Sequence, residues 1–246
     1  MFDFFRKKKA TKLYDLSFLK ADMHSHLIPG IDDGAKEFED SMQMIRSLQE
    51  LGIHKLVTTP HIMRDYYPNT AETIHEGLEL LKNRLKAEKI SLEIIAAAEY
   101  FIDEHFEKLL NSRELLPITG NQVLVEISFM GAPYNLHGIL FDMQAKGYQP
   151  ILAHPERYGF YTHDLDQFRR LRELGCKLQV NLNSFSGYYG KAAKETALLL
   201  LREKLVDYAG TDMHHGKHIE ALFKLLQMPE EMELLSGYEK WGNWDI

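Results

Sequence analysis

The chain has 246 residues but a single cysteine, Cys176, so it cannot form an intrachain disulfide. One free thiol is typical of a reducing compartment, and we expect a cytoplasmic protein, with the inner face of the membrane as an alternative. No apolar run approaches the roughly 18 residues of a membrane-spanning helix. The 29 basic residues are outnumbered by 36 acidic ones, and the net charge of −7 argues against nucleic acid as the main partner.

Several familiar catalytic motifs are also missing. No Gly-x-Ser-x-Gly elbow occurs, so an α/β-hydrolase serine is unsupported. Six residues after Cys176 stands Leu182, where a cysteine-dependent phosphatase would need its phosphate-binding arginine. The glycine-rich stretch 187–190 lacks the spacing of a phosphate loop, and a helix entry is the better interpretation. The chemistry therefore has to come from other residue types.

Apolar, β-branched runs alternate with helical patterns in seven units. Alternation of this kind predicts parallel strands with helices packed outside, and seven units over this length favour a closed or nearly closed barrel. We therefore predict an α/β fold, a (β/α)7 TIM-like barrel in a single domain, residues 19–246, preceded by an N-terminal tail, residues 1–18. The predicted strands are 19–24, 54–60, 91–99, 122–128, 149–154, 177–182 and 205–212.

The stretches between these strands carry apolar residues at helical spacing. Gly52 is predicted to stop the first helix, and Asn69 to cap the second, with Glu72 three residues later. The later helices are predicted at 103–111, 134–146, 165–174, 191–204 and 217–226.

Acidic and imidazole side chains follow six of the seven predicted strands. The carboxyl ends of the strands and the loops after them build the active site of a parallel β/α barrel, so we expect these side chains to meet there. His24 and His26 are one residue apart and point to the same face of an extended strand, where both can bind one ion. The candidate ligands are His24, His26, Asp33, His61, Glu99, Glu126, His154, Asp212 and His214.

Charge repulsion among these candidates predicts bound cations. Four of the nine are carboxylates, which would repel one another in a shared cleft and would be driven to bind protons by loss of solvent. Bound cations relieve both penalties, and neutral imidazoles can fill the remaining coordination positions. Nine ligands are too many for one ion with about four to six ligands and suit two or three ions. We therefore predict a multinuclear metal site.

In this order, the nine residues resemble the metal-binding pattern of the PHP (polymerase and histidinol phosphatase) superfamily. HSHLIPGIDDGA at 24–35, AHPERY at 153–158 and TDMH at 211–214 resemble, more narrowly, the bacterial manganese-dependent protein tyrosine phosphatases of capsule and exopolysaccharide operons, the CpsB/CapC type. The resemblance runs from Asp22 to about His218. It implies a distorted barrel of the PHP fold with three divalent metal ions, manganese first, and iron, zinc, cobalt or magnesium as alternatives.

The resemblance also implies a role for each candidate residue. One ion would take His24, His26, Glu99 and Asp212. A second would take Glu99, Glu126 and His154, with Glu99 bridging. The third would take Asp33, His61 and His214. Arg157 matches the family's phosphate-holding arginine, and the candidate catalytic residues are Arg157, Glu99 and Asp33.

By the same resemblance, the reaction is hydrolysis of phosphotyrosine on a protein, and the partner is a bacterial tyrosine kinase that controls polysaccharide export. A second enzymatic interpretation keeps the site but takes a small phosphomonoester such as histidinol phosphate, or a nucleic-acid phosphodiester, which the acidic balance disfavours. Amidohydrolases also begin with His-x-His, but they usually place a lysine where this chain has Glu126. A regulator that binds phosphotyrosine without turnover is a further alternative, and the complete ligand set argues against it.

Overall fold

The computed structural model describes residues 14–246, which contain nine strands and nine α-helices. The strands are β1 (Ala21–Asp22), β2 (Lys55–Thr58), β3 (His61–Ile62), β4 (Glu93–Ala96), β5 (Glu99–Phe101), β6 (Gln122–Glu126), β7 (Gln149–Ala153), β8 (Lys177–Asn181) and β9 (Tyr208–Gly210). The helices are α1 (Phe38–Glu50), α2 (Ala71–Ala87), α3 (Glu104–Ser112), α4 (Leu136–Ala145), α5 (Leu165–Glu173), α6 (Leu182–Phe185), α7 (Lys191–Arg202), α8 (Gly216–Leu226) and α9 (Pro229–Ser236). No helix in this part of the chain is long and apolar enough to cross a bilayer.

The strands pair in parallel and form two sheets, with the orders β1-β2-β4 and β3-β5-β6-β7-β8-β9. The α/β class in a single domain is confirmed, but two of the seven predicted strands differ from the structure. A further strand, β3, follows the strand predicted at 54–60, and the strand predicted at 91–99 stops early, with β5 beginning at Glu99. Residues 59–60 separate β2 from β3, and residues 97–98 separate β4 from β5. Pro60 lacks the N–H that an uninterrupted ladder needs. His61 and Glu99 therefore begin short strands, whereas the sequence placed them at strand ends.

The first and last strand positions meet through a short seam of hydrogen bonds. The Asp212 amide donates to the His24 carbonyl at 2.8 Å, and the His26 amide donates to the Met213 carbonyl at 2.9 Å. Ser25 and Met213 form an isolated parallel bridge between them. The series of strands thus returns to its beginning, and the seam contains site residues from both ends of the chain.

Strand side chains alternate between two apolar clusters. Val57 and Leu124 belong to a small buried cluster. Their neighbours Leu56 and Val125 belong to the large cluster that includes the helices. Successive strand residues point to opposite faces, so the small cluster fills the space enclosed by the strands and the large one lies between the strands and the outer helices.

The cap of α2 differs from the prediction. The Thr73 amide donates to Thr70 Oγ1 at 3.3 Å, so Thr70 is the N-cap residue and the prediction of Asn69 is wrong. The Asn69 amide instead donates to the carbonyls of Ile31 and His61 at 2.8 and 2.9 Å. Asn69 and Thr70 are both able to cap a helix. Because the Asn69 side chain contacts these distant loops, Thr70 is the residue that caps α2.

Residues 1–13 of the predicted tail lie outside the described residues. In the rest of it, Leu16 is buried and its amide donates to the Leu51 carbonyl at 2.7 Å, just before the 3-10 turn Ser17–Leu19. The boundary after residue 18 stays a prediction.

The C-terminal segment supports the seam through one buried side chain. Asn243, 1% exposed, accepts a hydrogen bond from the Ala209 amide at 3.0 Å and donates to the carbonyls of Ala21 and Ala209 at 2.9 and 2.7 Å. Its amide thus pairs with backbone groups of both β1 and β9, which form no ladder with each other. Gly242 allows this approach, since a Cβ atom there would lie 2.5 Å from the Tyr208 ring.

Replacing Asn243 by alanine should therefore lower the free energy of unfolding by about 1–3 kcal/mol, because buried backbone groups lose their partners. Denaturant unfolding would measure the change. The control Asn111→Ala, on an exposed position of α3, should stay within about 0.5 kcal/mol of the unaltered chain. Equal stability of the two variants would contradict this role for Asn243.

Candidate metal centre

Four buried electron-pair donors, from His24, His26, Glu99 and Asp212, converge on one point. His24 Nε2 lies 3.1 Å from Glu99 Oε2 and 3.2 Å from Asp212 Oδ1. His26 Nε2 lies 3.4 and 3.5 Å from the same two oxygens. The two imidazole nitrogens are 3.2 Å apart. Ligands about 2.0–2.1 Å from a tetrahedral ion are separated by about 3.3 Å, so this donor set fits a divalent metal.

The opposite ring nitrogens fix how the two imidazoles face the cavity. His24 Nδ1 lies 2.8 Å from Gln179 Oε1, and His26 Nδ1 lies 2.8 Å from Asp32 Oδ2. Both oxygens are acceptors, so each neutral imidazole donates through Nδ1 and keeps its lone pair on Nε2. The two lone pairs then face each other and two carboxylates, an arrangement that a cation stabilises.

His61 lies between two further groups of possible ligands. Its Nδ1 is 3.3 Å from Glu99 Oε2 and 3.1 Å from Glu126 Oε1. On the other side, Asp33 Oδ1 lies 3.4 Å from His61 Nε2 and 3.5 Å from His214 Nε2. Each group offers at least three ligand atoms within 4.8 Å of one another, enough to bind an ion.

His154 and Arg157 complete the predicted set. His154 Nε2 is 3.0 Å from Glu99 Oε1, while its buried Nδ1 has no hydrogen-bond partner among the described residues. Arg157 Nη1 donates to Asp212 Oδ2 at 2.7 Å. Eight of the ten predicted site residues line one cavity of about 260 Å3, and His24 and His26 lie behind it, in contact with Glu99 and Asp212. The grouping differs from the expected one in two respects. His61 rather than His154 falls with Glu99 and Glu126, and His26 also falls with Asp33, His61 and His214.

The backbone departs from strand geometry where it presents two of these residues. His154 follows β7 with a φ of 36°, and Asp212 lies two residues beyond β9 with a φ of 50°. This left-handed region is uncommon for residues other than glycine. At Gly34 a Cβ atom would lie 2.3 Å from the His26 carbonyl oxygen, so only glycine lets the loop approach His26 so closely.

Comparison with known proteins now gives the family. Residues 20–224 match the family described as capsular polysaccharide synthesis, CpsB/CapC. The chain belongs to this family. Tyrosine-protein phosphatase YwqE of Bacillus subtilis (strain 168) is 32% identical over 197 residues, covering 80% of this chain and 78% of that protein. Tyrosine-protein phosphatase CpsB of Streptococcus pneumoniae is 28% identical over 201 residues, covering 79% and 82%.

Solved structures agree with the fold. The crystal structures of YwqE from B. subtilis and CpsB from S. pneumoniae, described as metal-dependent tyrosine phosphatases, include a chain that matches with a TM-score of 0.76 and 30% identity, over 90% of this chain and 96% of that one. Histidinol phosphate phosphatase from Lactococcus lactis, complexed with zinc, L-histidinol and phosphate, matches with a TM-score of 0.56 and 12% identity, over 90% and 95%. The second likeness shows the fold alone, and the predicted PHP-type fold is confirmed.

In this CpsB/CapC chain, the residues that form hydrogen bonds with the candidate ligands were not predicted from the sequence. Asp32 contacts His26 and also accepts a hydrogen bond from the His61 amide at 3.1 Å. On β8, the strand without a predicted ligand, Gln179 contacts His24, and Asn181 Nδ2 donates to Asp212 Oδ2 at 2.7 Å. The available signal was two buried amides spaced i, i+2, which place them on one strand face.

The acidic and imidazole groups strongly perturb one another. Burial by itself lowers the pKa of His61, but the Glu99 carboxylate beside it raises that pKa to about 10. Burial also opposes the charge on Glu99, yet the neighbouring imidazoles hold its pKa well below the usual range. For His26, burial is outweighed by Asp32, and the pKa rises well above its ordinary value. The imidazoles therefore carry protons that an incoming divalent ion has to displace.

Metal uptake should accordingly release protons and strengthen as the pH rises. With a pKa of about 10, His61 is protonated at neutral pH, so protons compete with the metal at every pH below that value. Titrating chelator-treated protein with Mn2+ in buffers of different ionisation enthalpy would count the protons released. We expect at least one per chain and tighter binding at about pH 9 than at about pH 6. Binding with no proton release and no dependence on pH would contradict this account.

Proposed function

We propose that this CpsB/CapC chain is a metal-dependent protein tyrosine phosphatase. The observation that carries the proposal is the convergence of the His24, His26, Glu99 and Asp212 donor atoms, 3.1–3.5 Å apart, beside a cavity that Glu99, Asp212 and Arg157 line. The names of the relatives and the family's connection with capsule synthesis support phosphotyrosine as the substrate. The proposed partner is a bacterial tyrosine kinase that controls polysaccharide synthesis, and the proposed location is the cytoplasm.

Three divalent ions, most simply manganese, are part of the proposal. Bound there, they would supply Lewis acidity and lower the pKa of water. The proposed ligands of the first ion are His24, His26, Glu99 and Asp212. Those of the second are Glu99, Glu126 and His154, and those of the third are Asp33, His61 and His214.

Arg157 is the proposed phosphate-binding residue. A guanidinium can donate two parallel hydrogen bonds to phosphate oxygens and stabilise the charge that develops on them. Asp212 Oδ2 accepts from one side of it at 2.7 Å, and the Tyr189 ring lies 4.1 Å from its central carbon, so its orientation is already fixed. The phenolate that leaves has a pKa near 10, so it needs less protonation than an alkoxide.

Cys176 takes no part in this chemistry. The thiol is buried, and burial raises its pKa to about 12. A nucleophilic cysteine needs a thiolate near neutral pH, which this environment prevents.

The direct test is phosphate release from three substrates: a phosphotyrosine peptide, the matched phosphoserine peptide and histidinol phosphate. With Mn2+ the chain should turn over the phosphotyrosine peptide, and a chelator should abolish that activity because the site depends on bound cations. Preference for histidinol phosphate would favour the small-ester alternative. Binding of the phosphotyrosine peptide without turnover would favour the regulator.

Arg157→Ala should keep its metals but lose roughly 100- to 1000-fold in kcat/KM, because a charge-stabilising donor is removed from the transition state. The matched control is Arg169→Ala, which removes an arginine from the surface of α5, 47% exposed. Elemental analysis of both variants would check that the ions remain. Near-normal kcat/KM for Arg157→Ala would remove this residue from the mechanism.

A further inference from the structure

The loop after β6, residues 127–135, leaves large apolar side chains exposed beside the candidate metal centre. Phe129 is 47% exposed and lines the cavity, and Met130 is 94% exposed. Tyr134, in the same loop, is fully exposed but does not line the cavity. An apolar side chain at the mouth of a polar cavity is typical of a ligand-binding surface.

The ring of Phe129 is held in place from behind. It stacks on the His154 ring, with centroids 5.8 Å apart and an 18° angle between the planes, and it contacts the Tyr158 ring at 5.3 Å. The Tyr158 hydroxyl accepts a hydrogen bond from the Ile127 amide at 3.1 Å, which ties the start of the loop to the same ring. Only the exposed half of Phe129 is left to contact a ligand.

Orienting Arg157 does not explain why half of the Phe129 side chain is exposed. The Arg157 guanidinium carbon lies 5.0 Å from the Phe129 centroid but 4.1 Å from that of Tyr189. Asp212 fixes the guanidinium from another side through a 2.7 Å hydrogen bond. Arg157 is thus oriented by two other residues, and Phe129 offers aromatic surface beyond that need.

We propose that Phe129 is a specificity-determining residue that packs against the aromatic ring of an aryl phosphate. The inference rests on the proposed function, in which that ring belongs to phosphotyrosine. In an aryl phosphate the ring is joined directly to the ester oxygen. When Arg157 binds the phosphate group, the ligand's ring would therefore lie close to the Phe129 ring. Ring pairs attract at centroid separations of about 4.5–7 Å, whereas the ester carbon of a serine or methyl phosphate carries no ring to pack.

The test compares the binding of two non-hydrolysable ligands, phenylphosphonate and methylphosphonate, to the Mn2+-loaded protein by calorimetry. The unaltered chain should bind phenylphosphonate roughly 5- to 30-fold more tightly. Phe129→Ala should lose this preference while its affinity for methylphosphonate stays the same. Phe129→Leu, which keeps apolar bulk without a ring, should retain part of the preference and guards against a folding defect in the alanine variant. The control Tyr134→Ala should behave like the unaltered chain.

Two outcomes would overturn the proposal. Equal weakening of both ligands in Phe129→Ala would mean that the ring acts only by orienting Arg157. Absence of any preference in the unaltered chain would mean that no ring is recognised. Turnover is measured separately. If the chain prefers phenylphosphonate but releases no phosphate from phosphotyrosine, the proposed function is contradicted, whereas the role of Phe129 in binding an aromatic ring is not.

Discussion

The structure depends on one electrostatic constraint: buried carboxylate oxygens and imidazole nitrogens lie 3.1–3.5 Å apart. The Nε2 atoms of the paired histidines mainly contact the carboxylates and each other, because their Nδ1 atoms already have other hydrogen-bond partners. Gln179 and Asp32 form hydrogen bonds with the Nδ1 atoms of His24 and His26, and Asn181 donates a hydrogen bond to one oxygen of Asp212. These outer contacts aim the donor atoms at a common point, so the cluster selects a cation by its geometry as well as by its charge.

That geometry requires interruptions of the strands. His61 and Glu99 each begin a short strand after a break of two residues, and His154 and Asp212 adopt left-handed backbone conformations just beyond their strands. A regular strand would send alternate side chains outward at these points. Local backbone strain of this kind persists only where the surroundings hold it, and it is concentrated at functional sites. The seam hydrogen bonds next to Asp212 provide such support.

Much of this was predictable from periodicity and spacing. The helix predicted at 165–174 is α5 (Leu165–Glu173), and the strand predicted at 149–154 is β7 (Gln149–Ala153). The break at 97–98 was not predictable, because two alanines fit a strand, and only tertiary contacts stop the ladder there. Gln179 was missed for a related reason: an amide on a buried strand is as compatible with packing as with orienting a ligand. Sequence patterns thus identified which residues meet, but not the residues that orient them.

The cavity lining combines polar and apolar side chains. Carboxylates and histidines supply most of the lining, Arg157 packs against the Tyr189 ring, and Phe129, from the exposed loop 127–135, adds an apolar side chain. In the proposed function, the phosphate group would meet the candidate ligands and Arg157, and the group beyond the ester oxygen would meet Phe129. Selectivity for that group would therefore depend on Phe129 and its loop rather than on the candidate ligands.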